Sequence, residues 1–181
     1  MVYLFLAEGH EEIEALTVVD LLRRAGLEIE TVSITGLSQV PGSHKIVTMA
    51  DRHISDIDFN KADMLVLPGG MPGTLNLEMC APLMEAVDSF AKNGKWIAAI
   101  CAAPTVFGRR GLLEGKVACC YPDMEKDLRG AKVSYDNVCV DGNIITSRGM
   151  GTAIDFALTI ISKLKDEKAA TELAKKIVYT K

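Results

Sequence analysis

Short apolar runs alternate along this chain with longer stretches of helical periodicity, and few folds accommodate that alternation. Residues 2–7, 28–34 and 62–67, and the run that begins at Lys95, read as strands. Helices are expected over residues 11–25, stopped by Gly26, and over 82–92, closed by Asn93-Gly94. Others are expected from the end of the Lys95 run to about Arg110, over 152–165 and over 167–178. Strand, helix and strand in succession join as parallel crossovers, so the pattern predicts an α/β, flavodoxin-like, doubly wound fold. Its sheet would be mainly parallel, with helices on both faces. A further strand is expected over 117–121, and an extended pair over 132–140 and 143–146, joined at Asp141-Gly142. Two short runs around Pro41-Gly42-Ser43 suggest a hairpin appended to the sheet, and residues 68–73 read as loop. Ligands of such folds bind beyond the carboxyl ends of the strands, so the residues leaving those ends matter most.

At 181 residues, 49% hydrophobic and 24% charged, the chain fits one domain over residues 1–181 with a continuous core. The net charge of −4, with scattered basic residues, leaves no footprint for nucleic acid. No run approaches the roughly 18 apolar residues of a membrane span, and the apolar start is cut short by Glu8, as in a strand rather than a signal peptide. Five cysteines, at 80, 101, 119, 120 and 139, show no CxxC spacing and no nearby histidines. Reduced thiols in a cytoplasmic protein are expected, with no metal site. Cys80, Cys119, Cys120 and Cys139 read as core or surface filler. Cys119 and Cys120, adjacent in an expected strand, would point to opposite faces.

Cys101 differs from these four. Lys95-Trp96-Ile97-Ala98-Ala99-Ile100 leads straight into Cys101-Ala102-Ala103-Pro104, the layout of a nucleophile elbow on a tight strand-to-helix turn. Small neighbours permit the cramped backbone and leave amide N–H groups free to stabilise a thiolate or oxyanion. Cys101 is therefore expected to be the one acidic, oxidation-prone thiol. Glu14 shares a helical stripe with Val18, Leu21 and Leu22, so its carboxyl points to the core face. Burial there would raise its pKa toward neutrality and let it donate a hydrogen bond to a thiolate. Glu11 and Glu12 read as first-turn acids favoured by the helix dipole. Gly69 and Gly70 allow close backbone approach, and an N–H there would form an oxyanion hole with that of Ala102. His10, in the first strand's exit loop, is the best placed of the three histidines, and Tyr121 ends the strand after the elbow. No histidine directly follows either strand, which counts against a Cys-His protease or amidase.

Taken together, Glu11-Glu12-Ile13-Glu14, Leu67-Pro68-Gly69-Gly70, Ala98 to Pro104 and Thr146-Ser147-Arg148-Gly149-Met150-Gly151-Thr152 resemble the DJ-1/ThiJ/PfpI family. Length and ending resemble its DJ-1/YajL-like branch. The resemblance covers nearly the whole chain and implies a sandwich related to class I glutamine amidotransferase domains, usually dimeric. It implies that Cys101 is the nucleophile, Glu14 the acid that hydrogen-bonds it, and Gly70 and Ala102 the oxyanion-binding amides. Arg148 falls in the family's Ser-Arg-Gly segment near the pocket. Tyr121 departs from the pattern, standing where many members carry a pocket histidine, and would pack the wall or orient a substrate oxygen.

The activity this implies is a cofactor-independent glyoxalase or deglycase reaction on small reactive aldehydes or glycated substrates. Cys101 would form a hemithioacetal and Glu14 would move the proton. An oxidation sensor or holdase chaperone working through Cys101 is the alternative, followed by a peptidase or amidase and a thiazole-biosynthesis role. A homodimer is expected because residues 11–25 carry more apolar surface than one sheet face needs.

Overall fold

A computed structural model describes residues 1–180. In chain order the elements are β1 (Val2–Leu6), α1 (Glu12–Arg24), β2 (Ile29–Ser33), β3 (Gln39–Pro41), β4 (Val47–Met49), β5 (Arg52–His53) and β6 (Met64–Leu67). They continue with α2 (Gly73–Glu78), α3 (Ala81–Lys92), β7 (Trp96–Ile100), α4 (Pro104–Arg109), β8 (Val117–Ala118) and β9 (Lys132–Val133). The chain closes with β10 (Val138–Asp141), β11 (Ile144–Ser147), α5 (Ala153–Leu164) and α6 (Glu167–Lys176).

Seven strands form the central sheet in the order β10-β11-β7-β6-β1-β2-β5. Every neighbouring pair is parallel except β10 and β11, which form an antiparallel hairpin at one edge. The expected doubly wound α/β sandwich is thus the observed one. β1 is buried along its whole length, as a strand covered on both faces must be. Its alternate side chains feed two layers. Leu4 and Leu6 join Val66, Ala98 and Ile100 under Val18 and Leu22 of α1 and Phe156 and Ile160 of α5. Phe5 joins Leu65, Leu67, Ile97 and Ala99 under Leu83 and Phe90 of α3 and Phe107 of α4. Each such fully buried large side chain contributes roughly 1.5–3 kcal/mol.

Three expectations are corrected. The strand over 117–121 stops at Ala118, and β8 pairs in parallel with β9 in a separate ribbon, so 132–140 is not one strand. Backbone groups after Ala118 turn elsewhere: Cys119 N–H donates to the Thr146 hydroxyl and Tyr121 N–H to the Cys101 carbonyl. The hairpin around Pro41-Gly42-Ser43 exists, but β3 and β4 form their own two-stranded sheet, and only β5 joins the central one. Residues 73–78, read as loop or left unassigned, form α2, whose start is masked in sequence by Pro72-Gly73.

Candidate active site

β7, β6 and β1 are neighbours, so the segments leaving their carboxyl ends meet above one edge of the sheet. Cys101 follows β7 directly with φ of 65°, the left-handed region that side chains other than glycine rarely adopt. That conformation costs on the order of 1 kcal/mol. It persists because both backbone groups are tied: Cys101 N–H donates to Ser147 O at 2.9 Å, and Tyr121 N–H donates to Cys101 O at 2.8 Å. Ala102 and Ala103 are buried against this turn, where larger side chains would collide. The strained strand-to-helix elbow read from residues 95–104 is present. The helix that follows has only six residues, so the groups acting on sulfur are individual amides, those of Ala102 and Gly70.

Gly69 and Gly70 leave β6 and pass within reach of Cys101. Gly70 takes φ of 90°, and a Cβ there would strike the backbone of Gly9, His10 and Glu11. The loop is anchored from α1, with Glu11 N–H donating to Gly69 O at 2.9 Å. Glu14, one turn along, is 1% exposed; its Oε2 accepts Gly69 N–H at 2.9 Å, and its carboxyl also contacts the Cys101 thiol. The second oxygen, Oε1, is buried without a hydrogen-bond partner. Burial pushes the Glu14 carboxyl up to about 7, against the lowering effect of the Cys101 and Gly69 contacts.

The expectation of an acidic Cys101 is overturned for the state in which Glu14 is ionised. Burial first, then the neighbouring carboxylate, pushes the thiol up to about 12, and the Ala102 and Gly70 N–H groups only partly offset this. The two groups titrate as a pair, because the first negative charge opposes the second. Over the range between the two values the pair holds one proton and one charge.

The remaining candidates are spread differently. His10 is fully buried, with Nδ1 3.0 Å from Ala7 O and Nε2 3.2 Å from Thr48 Oγ1. Nδ1 closes the exit loop of β1 and Nε2 ties it to β4, so both ring nitrogens are engaged within the protein, and burial lowers the pKa of the ring. Tyr121 is half exposed beside the elbow, its ring edge above Gly149. Arg148 leaves β11 next to β7, but its guanidinium lies over the Tyr135 ring at 5.7 Å and donates to Tyr135 O at 3.5 Å. It braces a neighbouring loop.

Glu12 stands in the first turn of α1, as a dipole acid would, but is only 4% exposed. Its carboxylate accepts the N–H groups of His44 and Ile46 at 2.8 and 3.3 Å, the Ser43 hydroxyl at 3.1 Å and His44 Nδ1 at 3.1 Å. Its own backbone N–H and the His44 and Ile46 donors hold it down to about 2 despite burial. It fastens the hairpin to the start of α1, a contact across more than thirty residues that local sequence does not announce. A surface cleft of about 410 Å³ between α5 and α6 lies away from Cys101 and Glu14.

A doubly wound sandwich carrying a cysteine on a left-handed elbow, faced by a buried carboxyl and two glycines, defines a class of cysteine-centred α/β proteins. The chain belongs to the DJ-1/PfpI family, whose sequence profile matches residues 1–163. It is 40% identical over 175 residues to Protein DJ-1 homolog B of Arabidopsis thaliana, covering 96% of this chain and 40% of that protein. The chain thus spans about two fifths of the length of that relative. It is 33% identical over 175 residues to the glutathione-independent glyoxalase DJR-1.2 of Caenorhabditis elegans, covering 96% of this chain and 93% of that one. Among solved structures, oxidized Toxoplasma gondii DJ-1 superposes with a TM-score of 0.94 at 36% identity, covering 99% of this chain and 98% of that one.

Proposed function

We propose that this protein is a glutathione-independent glyoxalase acting on small 2-oxoaldehydes, with Cys101 as nucleophile and Glu14 as general acid and base. The observation that carries the reading is the buried Glu14 carboxyl, lifted to about 7 and in contact with the thiol of a strained elbow. The glyoxalase named among its relatives adds weight.

Sulfur adds to the aldehyde carbon of methylglyoxal, and the thiol proton passes through Glu14 to the new hydroxyl, giving a hemithioacetal. The Gly70 and Ala102 amides face the charge developing on oxygen. Glu14 carboxylate then removes the proton from the former aldehyde carbon and returns it to the adjacent carbon, while the hemithioacetal hydroxyl proton passes to the former ketone oxygen, so the first oxygen becomes the carbonyl of a thioester on Cys101 and the second a hydroxyl. Water cleaves the thioester, releasing lactate and restoring the thiol. A lone carboxyl serves both proton transfers because its pKa lies near working pH. Tyr121 forms a wall, and its hydroxyl is a candidate for orienting the ketone oxygen. The same chemistry extends to glycated adducts that expose an equivalent carbonyl. Two copies would associate through α1, whose Ile13 and Leu16 are 50% and 41% exposed.

Lactate formation from methylglyoxal without glutathione tests the reading. Glu14→Gln keeps the side-chain volume and should lower kcat at least about 100-fold, the lower range for losing a general acid or base. Cys101→Ser should abolish turnover. A folded Glu14→Gln protein with parental kcat would remove Glu14 from the reaction. No lactate from the parent would shift the reading to an oxidation sensor, in which the same acid donates to a Cys101 sulfinate.

A further inference from the structure

Cys119 and Cys139 take no part in the reaction above, yet the fold brings the two thiols together. Val117 N–H donates to Asp141 Oδ2 at 2.9 Å, and Lys116 Nζ lies 3.7 Å from Asp141 Oδ1. These contacts set the start of β8 beside the end of β10. Thr146 touches both. It is the cross-strand partner of Cys139 in the β10–β11 hairpin, so the two side chains share a face. Its hydroxyl accepts Cys119 N–H at 3.0 Å and lies 3.7 Å from Cys119 Sγ, which donates to Thr146 O at 3.3 Å. Each thiol lies within the electrostatic reach of the other, and the Ser134 hydroxyl, which donates to Asp136 Oδ2 at 2.8 Å, lies near Cys139. Both residues are buried, 0% and 5% exposed.

Filler has no need to gather two buried thiols around one threonine. We propose that Cys119 and Cys139 are a second redox centre, a dithiol that closes to a disulfide when hydrogen peroxide reaches it. Cys139 is the attacking sulfur. The Cys119 thiol and the two hydroxyls pull it down to about 7, against burial and the charge of Asp136, while the same contact keeps Cys119 protonated. Its thiolate attacks one peroxide oxygen; the S–O bond forms, the O–O bond breaks, and hydroxide leaves to become water, giving a sulfenic acid. Cys119 sulfur then attacks Cys139 sulfur, the S–S bond forms, and the sulfenic oxygen departs as water with the Cys119 proton. In sum, two thiols lose two electrons and one peroxide becomes two waters.

β10 ends the sheet on its side, so peroxide reaches Cys139 when that strand and the 116–119 segment beside it open locally. Closing the link ties the segment before Tyr121 to that strand. The link would thereby stiffen the hydrogen bond from Tyr121 N–H to the Cys101 carbonyl.

Peptide mapping of the full chain tests this directly. The reduced protein is titrated with hydrogen peroxide, blocked with N-ethylmaleimide and digested with trypsin without reductant. The expected product joins the peptide Val117–Lys126 to Val133–Arg148 through Cys119 and Cys139, two hydrogens lighter than the sum of the two peptides with one maleimide on Cys120. Dithiothreitol should reverse it. Cys101→Ser and Cys120→Ser should retain it, and Cys139→Ser should lose it. Maleimide on both Cys119 and Cys139 after Cys101 is fully oxidised would overturn the proposal. So would a sulfinate on Cys139 or a link through Cys120. The decisive spectrum comes from the parent protein, so no variant has to fold for the result to count.

Discussion

Alanine at Gly69 would drive a methyl group between the two residues that carry the proposed chemistry. A Cβ built there lies 2.6 Å from Cys101 Cβ, 2.7 Å from Glu14 Oε2 and 3.0 Å from Ile100 O. Carbon contacts are comfortable near 3.5–4.0 Å, so about 1 Å must open on two sides at once. Cys101 cannot retreat, since Ser147 O and Tyr121 N–H hold its backbone. The Glu14 carboxyl moves instead, losing the Gly69 N–H bond at 2.9 Å and its contact with sulfur. Overpacking of this kind costs about 1–3 kcal/mol of stability, or a melting point lower by roughly 2–12 °C for a domain of this size. A displacement near 1 Å at a reacting centre costs about 100-fold in rate. Gly69→Ala should therefore remain folded while kcat for methylglyoxal falls about 100-fold with KM little changed. Circular dichroism melts and lactate assays without glutathione read the two quantities separately. Parental kcat in a folded Gly69→Ala protein would refute the claim that the Cys101–Glu14 contact sets the rate.

Other outcomes follow from the same geometry. Glu14 has a folded pKa near 7 against an ordinary value of 4.5, so its stabilising share is complete below 4.5 and lost as pH rises through 7. The shift amounts to about 3 kcal/mol, and Glu14→Gln should flatten the fall in melting temperature between pH 5 and pH 8; equal slopes in both proteins would contradict this. Glu12 is shifted the other way, its contribution present above 4.5 and lost as pH falls toward 2. Glu12→Ala should cost about 2 kcal/mol by stranding the His44 and Ile46 N–H groups, and should increase hydrogen exchange across Gln39–Met49; unchanged protection there would sink the latch. Sedimentation at micromolar concentration should give about twice the 19.6 kDa chain mass. Leu16→Glu should halve the sedimenting mass, and a parent that sediments as a single chain would end the dimer proposal.

Much of the architecture was legible because buried parallel strands are apolar throughout and the helices between them carry one apolar stripe. The strands over residues 2–7, 28–34 and 62–67 were placed within two residues at each end. Glu14 stood out for a related reason: a charged residue on the stripe of Val18 and Leu22 demands a buried partner. What stayed hidden depended on contacts distant in sequence. Cys119 and Tyr121 look like strand residues, but their N–H groups serve Thr146 and Cys101, so the strand ends early. Glu12 has the composition of a dipole acid, and only the folded hairpin supplies its four donors. The direction of the Cys101 shift was missed because burial of the thiol was left out and Glu14 was weighed only as a protonated donor.

The left-handed backbone at Cys101 also bears on how such a protein responds to laboratory evolution. Glycine adopts a φ near 65° without steric penalty, so Cys101→Gly relieves on the order of 1 kcal/mol while removing the sulfur. Position 101 is thus one where thermal robustness and reactivity pull in opposite directions. A library screened only for surviving heat would be enriched in chains with glycine there. Those survivors would keep the sandwich and lose the thiol, so any stabilisation campaign on this scaffold needs a turnover screen run beside the thermal one.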